Sequence, residues 1–188
     1  MADIFYDESG DVSSLEELTL GLVGYGNQGR AHALNLRDSG LNLKIGTRSG
    51  TKACQQALED GFERLEISEV AKRCDLIAVL LPDEVMPELF AKQIIPFLRS
   101  GCAFVFAHGF VVHHKTVQLP VDSDLILVAP TGPGRQLRSL YEEGSGLPAL
   151  LAVEQDPSGK AWARCLAYAK AIGSTRVGAI KTTFAEDT

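Results

Sequence analysis

Three glycines at fixed spacing, Gly24, Gly26 and Gly29, follow an apolar run at residues 18–23 and lead into the helix-like Ala31-His32-Ala33-Leu34. Few folds accommodate a buried strand, a tight glycine turn and a helix in that order. Gly24 permits the turn, Gly26 leaves the backbone bare toward a ligand, and Gly29 lets the helix lie close on the strand. The free N–H groups and positive dipole end of such a helix suit a pyrophosphate. The segment Gly24-Tyr25-Gly26-Asn27-Gln28-Gly29 therefore reads as a dinucleotide-binding fingerprint, with a plain glycine-rich turn as the alternative. Its position, after the first strand and at the start of an alternating pattern, favours the fingerprint.

That pattern continues along the chain. Apolar runs at residues 41–47, 75–81, 103–107, 125–128 and 149–153 read as strands. Helices are expected at residues 52–58, 70–74, 84–98, 135–142 and 158–172. Strands that are apolar throughout, rather than alternating, fit a sheet covered on both faces. The expected fold is α/β: a Rossmann-type, doubly wound, mostly parallel sheet flanked by helices. No repeat or linker divides the 188 residues, so one domain over 1–188 is expected.

Charge and cysteine usage narrow the setting. A formal net charge of -6 with no basic run argues against nucleic acid or an anionic membrane as partner, while a few local donors still admit an anionic cofactor. No apolar stretch approaches the roughly 20 residues that span a bilayer. Residues 1–14 are acidic and polar, without a leader's basic start and apolar centre. Cys54, Cys74, Cys102 and Cys165 form neither a C-x-x-C pair nor a zinc spacing, and Cys74 and Cys102 border apolar runs. Buried thiols in a reducing, cytoplasmic setting are expected.

The end of the second strand bears on the choice of cofactor. A site for NAD usually places an acid there to accept the ribose hydroxyl. Here the segment reads Gly46-Thr47-Arg48-Ser49-Gly50-Thr51-Lys52. Arg48 and Lys52 supply positive charge, and Ser49 and Thr51 supply hydroxyls, which favours NADPH over NADH. An ordinary polar loop with two solvated cations is the other reading. His108 stands just after the fourth strand, on the sheet edge where open α/β folds bind ligands, with Gly109 leaving room beside it. A histidine bonded within a strand-to-loop turn is the plainer alternative. His32 reads as structural, and the adjacent His113 and His114 as loop residues, since neighbouring histidines rarely address one ion.

The fingerprint, extended through Arg30-Ala31-His32-Ala33-Leu34-Asn35-Leu36-Arg37-Asp38-Ser39-Gly40, resembles that of the ketol-acid reductoisomerases. So do Leu80-Leu81-Pro82-Asp83-Glu84-Val85, Phe106-Ala107-His108-Gly109-Phe110 and Ala129-Pro130-Thr131-Gly132-Pro133-Gly134. Gln155-Asp156-Pro157-Ser158-Gly159 and Lys181-Thr182-Thr183-Phe184 complete the series, which runs in family order from about residue 20 onward. The resemblance implies NADPH reduction coupled to a Mg²⁺-assisted alkyl migration of 2-acetolactate-type ketol acids, in branched-chain amino-acid synthesis. It implies that Tyr25, Gly26, Asn27 and Gln28 line the cofactor phosphates and that Arg48 and Thr51 hold the 2′-phosphate. It further implies that Asp83, Glu84, Val85 and Met86 border the nucleotide, that Gly134 lies toward the nicotinamide, and that His108 is the active-site histidine.

Departures accompany the resemblance. Thr131 stands where the family has lysine, and Val111 where it has asparagine; the loop after Arg48 is shorter than in many members. The family's metal carboxylates begin just beyond the Thr-Thr-Phe segment, in a helical domain, so Mg²⁺ is expected only with that domain and no metal ligand is assigned here. Glu186-Asp187-Thr188 reads as an exposed polar tail. The expected partner is a small-molecule substrate of the 2-acetolactate class, and a homo-oligomer stays open. Two other functions stay open as well: a binding module that holds NADPH without catalysis, and a different NADPH oxidoreductase on the same fold.

Overall fold

The apolar runs become the middle of a nine-stranded sheet. The computed structural model describes residues 3–188; Met1 and Ala2, which begin the polar N-terminal segment, lie outside the described residues. The strands are β1 (Ile4–Phe5), β2 (Leu20–Val23), β3 (Leu43–Gly46), β4 (Glu63–Leu65), β5 (Leu76–Val79), β6 (Ala103–Phe106), β7 (Leu125–Pro130), β8 (Ala149–Gln155) and β9 (Ala179–Lys181). Their spatial order is β1-β9-β8-β7-β6-β5-β2-β3-β4. From β4 to β7 all pairs are parallel, and this six-strand portion has the doubly wound order of the Rossmann fold. β8 then runs antiparallel to β7, β9 parallel to β8, and β1 antiparallel to β9. The expected mostly parallel sheet is the one found.

Helices α1 (Ser13–Glu16), α2 (Asn27–Asp38), α3 (Lys52–Glu59), α4 (Ile67–Arg73), α5 (Met86–Leu89), α6 (Phe110–His113), α7 (Gly134–Glu142), α8 (Ala161–Ala171) and α9 (Phe184–Asp187) flank the sheet. Every residue of β2, β5 and β6 is buried, as expected of strands covered on both faces. Leu22, Ile45, Leu36 and Tyr168 belong to the core on one face, and Val23, Ile77, Phe90 and Phe104 to the core on the other. On the first face His32 is wholly buried, its Nδ1 2.9 Å from the Tyr168 hydroxyl, which ties α2 to α8. Its role is structural. All four cysteines are buried, and burial raises the thiols of Cys74, Cys102 and Cys165.

Several elements differ from the sequence reading. The helix expected at 84–98 breaks into α5, a wide π-turn at Phe90–Ile94 and a 3-10 turn at Ile95–Phe97. Pro96 has no N–H to continue an α-helical ladder, and the Ile95 N–H reaches back to the Phe90 carbonyl instead. The helix expected from residue 158 starts at Ala161, where the Asp156 carboxylate accepts from the Ala161 N–H at 3.0 Å. His113, read as a loop residue, ends the short α6.

Candidate functional site

β2 and β5 are neighbours, but the chain leaves β2 toward β3 and returns to β5 on the other side. The glycine turn after β2 therefore opens at the point where strand order reverses, the crevice in which open α/β sheets take ligands. The three glycines meet different needs there. Gly24 has φ +96°, and a Cβ on it would strike the Leu80 carbonyl. A Cβ on Gly29 would strike the carbonyl of Gly24, so these two serve close packing. Around Gly26 an added Cβ would meet nothing within 4 Å, so the protein itself gives no reason for a glycine there. Bare backbone facing open space is what a phosphate needs.

α2 starts directly behind that opening. Gly26 precedes its first turn in an extended conformation, and no side chain caps the helix. The Arg30 N–H, bonded to the Gly26 carbonyl at 2.9 Å, is the first in the helical ladder, so the amides of Asn27, Gln28 and Gly29 have no carbonyl of the helix to meet. Those amides and the dipole behind them are of the kind that suits an anion. The side chains of the turn are engaged elsewhere. Tyr25 is 5% exposed and its hydroxyl donates to Asp60 at 2.8 Å; Asp60 also takes Arg30 at 2.7 Å, which holds its carboxyl below the usual range. Tyr25 thus contributes backbone to the opening and ties α2 toward α3. Gln28 Nε2 donates to the Gly132 carbonyl at 2.9 Å, bracing α2 against the loop before α7.

A cleft of about 380 Å³ runs from the turn to the end of β3. Gly24, Tyr25, Gly26, Arg48, Thr51 and Val85 line it. Thr51 also shapes it: its hydroxyl donates to the Arg48 carbonyl at 2.8 Å and accepts from the Cys54 N–H at 3.2 Å, capping α3 and folding the loop that carries Arg48. Thr47 is buried where an NAD-type acid would stand, and its carbonyl accepts from Arg64 at 2.6 Å. Ser49 and Glu84 are exposed, while Met86 is 3% exposed and belongs to the core. A second cleft of about 650 Å³ meets the first at Tyr25 and Gly26 and is lined also by Asn27, Lys52 and Gly134. Gly134 is glycine for a packing reason, since a Cβ there would collide with the Asn27 carbonyl. Sequence reasoning passed over Arg135 and Arg138 in this second cleft, and Glu88 and Lys92 in the first.

His108 lies beyond the end of β6, its side chain half-exposed. Its Nδ1 is 2.9 Å from Asp187 Oδ2, and the same oxygen accepts from the Gly109 N–H at 2.7 Å. Its Nε2 faces Asp83 at 3.9 Å. The expected exposed polar tail holds for Glu186 and Thr188 and is corrected at Asp187, whose side chain is only 8% exposed on a helix whose Phe184 is buried. Gly109 permits this, because a Cβ there would meet the Phe184 carbonyl. With Asp187 accepting from Nδ1–H, the ring is held so that Nε2 is turned toward Asp83. Val111, in place of the family asparagine, is fully buried, and the Thr131 hydroxyl donates to the Pro148 carbonyl at 3.0 Å. Among the described residues no group of three or more His, Cys, Asp or Glu is placed to hold a metal ion.

Comparison with known proteins places this geometry. The family model described as acetohydroxy acid isomeroreductase, NADPH-binding domain, matches residues 14–178. A ketol-acid reductoisomerase (NADP(+)) of Renibacterium salmoninarum is 47% identical over 188 residues, covering 100% of this chain and 55% of the relative. The structure of an NADH-preferring ketol-acid reductoisomerase from an uncultured archaeon superposes with a TM-score of 0.94 at 43% identity, covering 99% of this chain and 58% of that one. A semialdehyde dehydrogenase NAD-binding protein of Cupriavidus necator, at 19% identity and TM-score 0.73, shares the fold. The chain thus spans little more than half the length of these reductoisomerases. With most of its length matched by the family model, the chain belongs to the family of acetohydroxy acid isomeroreductase NADPH-binding domains.

Proposed function

We propose that this chain, as one domain, holds NADPH for a ketol-acid reductoisomerase acting on 2-acetolactate-type ketol acids. The observation that carries the reading is the empty space at Gly26 in front of the uncapped start of α2, continuous with the cleft that Arg48 and Thr51 line. When bound, NADPH supplies a hydride. The chain's own residues do the rest of what is assigned here. The amides at Asn27 and Gln28 bind pyrophosphate, and Arg48 meets the 2′-phosphate with Ser49 and Lys52 beside it. Val85 borders the nucleotide from the facing wall, with Asp83 and Glu84 in the same segment. By the family resemblance His108, held at Nδ1 by Asp187, would be the active-site histidine, with Nε2 left to face the substrate side.

Calorimetric titration of both cofactors tests the reading. NADPH is expected to bind at least about tenfold tighter than NADH, which is about 1.4 kcal/mol. Equal affinities overturn the assignment of Arg48, and Arg48→Asp should erase or reverse the preference. The NADH preference of the archaeal relative makes this a sharp comparison, because overall likeness alone does not fix the choice of cofactor. The described residues assemble no metal cluster, so 2-acetolactate with Mg²⁺ should cause no NADPH consumption by this chain in isolation. Dihydroxy-acid formation by the purified chain would refute that part of the proposal.

A further inference from the structure

α5 and the π-turn after it contribute part of the lining of the first cleft, and that part carries charge of both signs. Glu88 and Lys92 both line the cleft, with Lys92 Nζ 2.6 Å from Glu88 Oε1. Arg48 lines the same cleft from the loop after β3, as does Thr51. We infer that Lys92 is a specificity-determining residue of this cleft: by pairing with Glu88 it neutralises a carboxylate that would otherwise face the extra phosphate of NADPH and compete for Arg48. The inference rests on the proposed NADPH site and adds to it the reason an acid in the lining is tolerated.

The charge count carries the argument. A phosphate monoester bears about -1.5 to -2 charges at neutral pH. As the lining stands, it meets Arg48 and a neutral pair. Without Lys92, Glu88 acts in two ways: it repels the phosphate, and it offers Arg48 a partner within the protein. The Glu88 carboxyl is held below the usual range first by its bond to Lys92, and the positive charge of Arg48 also contributes, so the two cations address one acid. NADH has only a hydroxyl at that ribose position, so the repulsion there falls on NADPH alone. A free Glu88 could accept from that hydroxyl, as acids do in NAD sites. The pair is largely exposed, with 70% and 74% of the two side chains accessible. Solvent therefore screens it, and the effect on selectivity is expected at about fivefold, not hundreds.

The alternative is an ordinary pair between residues four apart on a helix surface, which affects neither cofactor. NADPH and NADH are titrated calorimetrically at low salt into the full chain and into Lys92→Met, Lys92→Arg and the double variant Glu88→Gln/Lys92→Met. Thermal unfolding of each variant controls for folding. Expected are a fall of about fivefold in the NADPH-to-NADH affinity ratio in Lys92→Met, a kept ratio in Lys92→Arg, and recovery in the double variant. The fall should shrink at high salt. An unchanged ratio in Lys92→Met overturns the inference while leaving the NADPH reading intact. So does an equal loss for both cofactors, or a loss that the double variant does not recover. If the unaltered chain binds neither cofactor, the NADPH reading fails and takes this inference with it.

Discussion

Gly26 and Gly29 stand three residues apart in one turn, yet the structure assigns them opposite reasons for being glycine. Adding a Cβ at Gly29 drives it into the Gly24 carbonyl, so the cost falls on folding. At Gly26 the same atom enters empty space, so the cost falls on whatever occupies that space. Gly26→Val should leave the circular dichroism spectrum and melting temperature near those of the parent and reduce NADPH affinity by about a hundredfold or more. Gly29→Ala should cost stability on the order of 1–3 kcal/mol, read by urea unfolding, because backbone must shift to admit the methyl. A folded Gly26→Val chain with normal affinity would move the cofactor to another place on the molecule.

Among the elements, α9 contributes more than its four residues suggest. It buries Phe184, and its Asp187 fixes one ring nitrogen of His108 and the Gly109 amide at once. Removing that carboxylate leaves the Gly109 N–H without this acceptor, at about 1–3 kcal/mol, and leaves the imidazole free to take either tautomer. Nitrogen-15 NMR of the histidine side chains should report the Nδ1–H form at His108 in the parent and a mixture in Asp187→Ala. A single unchanged tautomer in the variant would show that Asp187 does not orient the ring. The sequence disclosed β2, β5 and β6 because each is a buried, wholly apolar run. It did not disclose β1, β4 or β9, which are two or three residues long, lie toward the sheet's edges and are partly exposed. Edge strands form because a neighbour supplies hydrogen bonds, and their local composition does not announce it. The site divides the same way. The fingerprint is one contiguous segment and Arg48 follows the next strand, so both were legible, whereas Asp187 meets His108 across 79 positions and could not be found by spacing.

At the scale of the whole molecule, pH acts through the contact between α2 and α8. His32 is fully buried, and burial pulls its pKa from 6.5 down to about 3. Its Nδ1 lies 2.9 Å from the Tyr168 hydroxyl, while Nε2 has no hydrogen-bond partner, so no carboxylate compensates a charge on the ring. The native chain therefore keeps the imidazole neutral where the unfolded chain protonates it. A histidine depressed in the folded state binds fewer protons there than when unfolded, so its contribution is complete above the unfolded pKa and is lost as pH falls. The window runs from 6.5 down to about 3. Within it the loss is about 1.4 kcal/mol per pH unit, so lowering pH from about 7.5 to 5 should remove roughly 2 kcal/mol of unfolding free energy. Urea unfolding at the two pH values in the parent and in His32→Gln separates this group from the carboxylates, which mostly titrate lower. The parent should show the full decline, and His32→Gln should be less stable at neutral pH but lose most of the slope. An equal slope in both proteins would mean that protons enter elsewhere, and that the α2–α8 contact tolerates a charged ring.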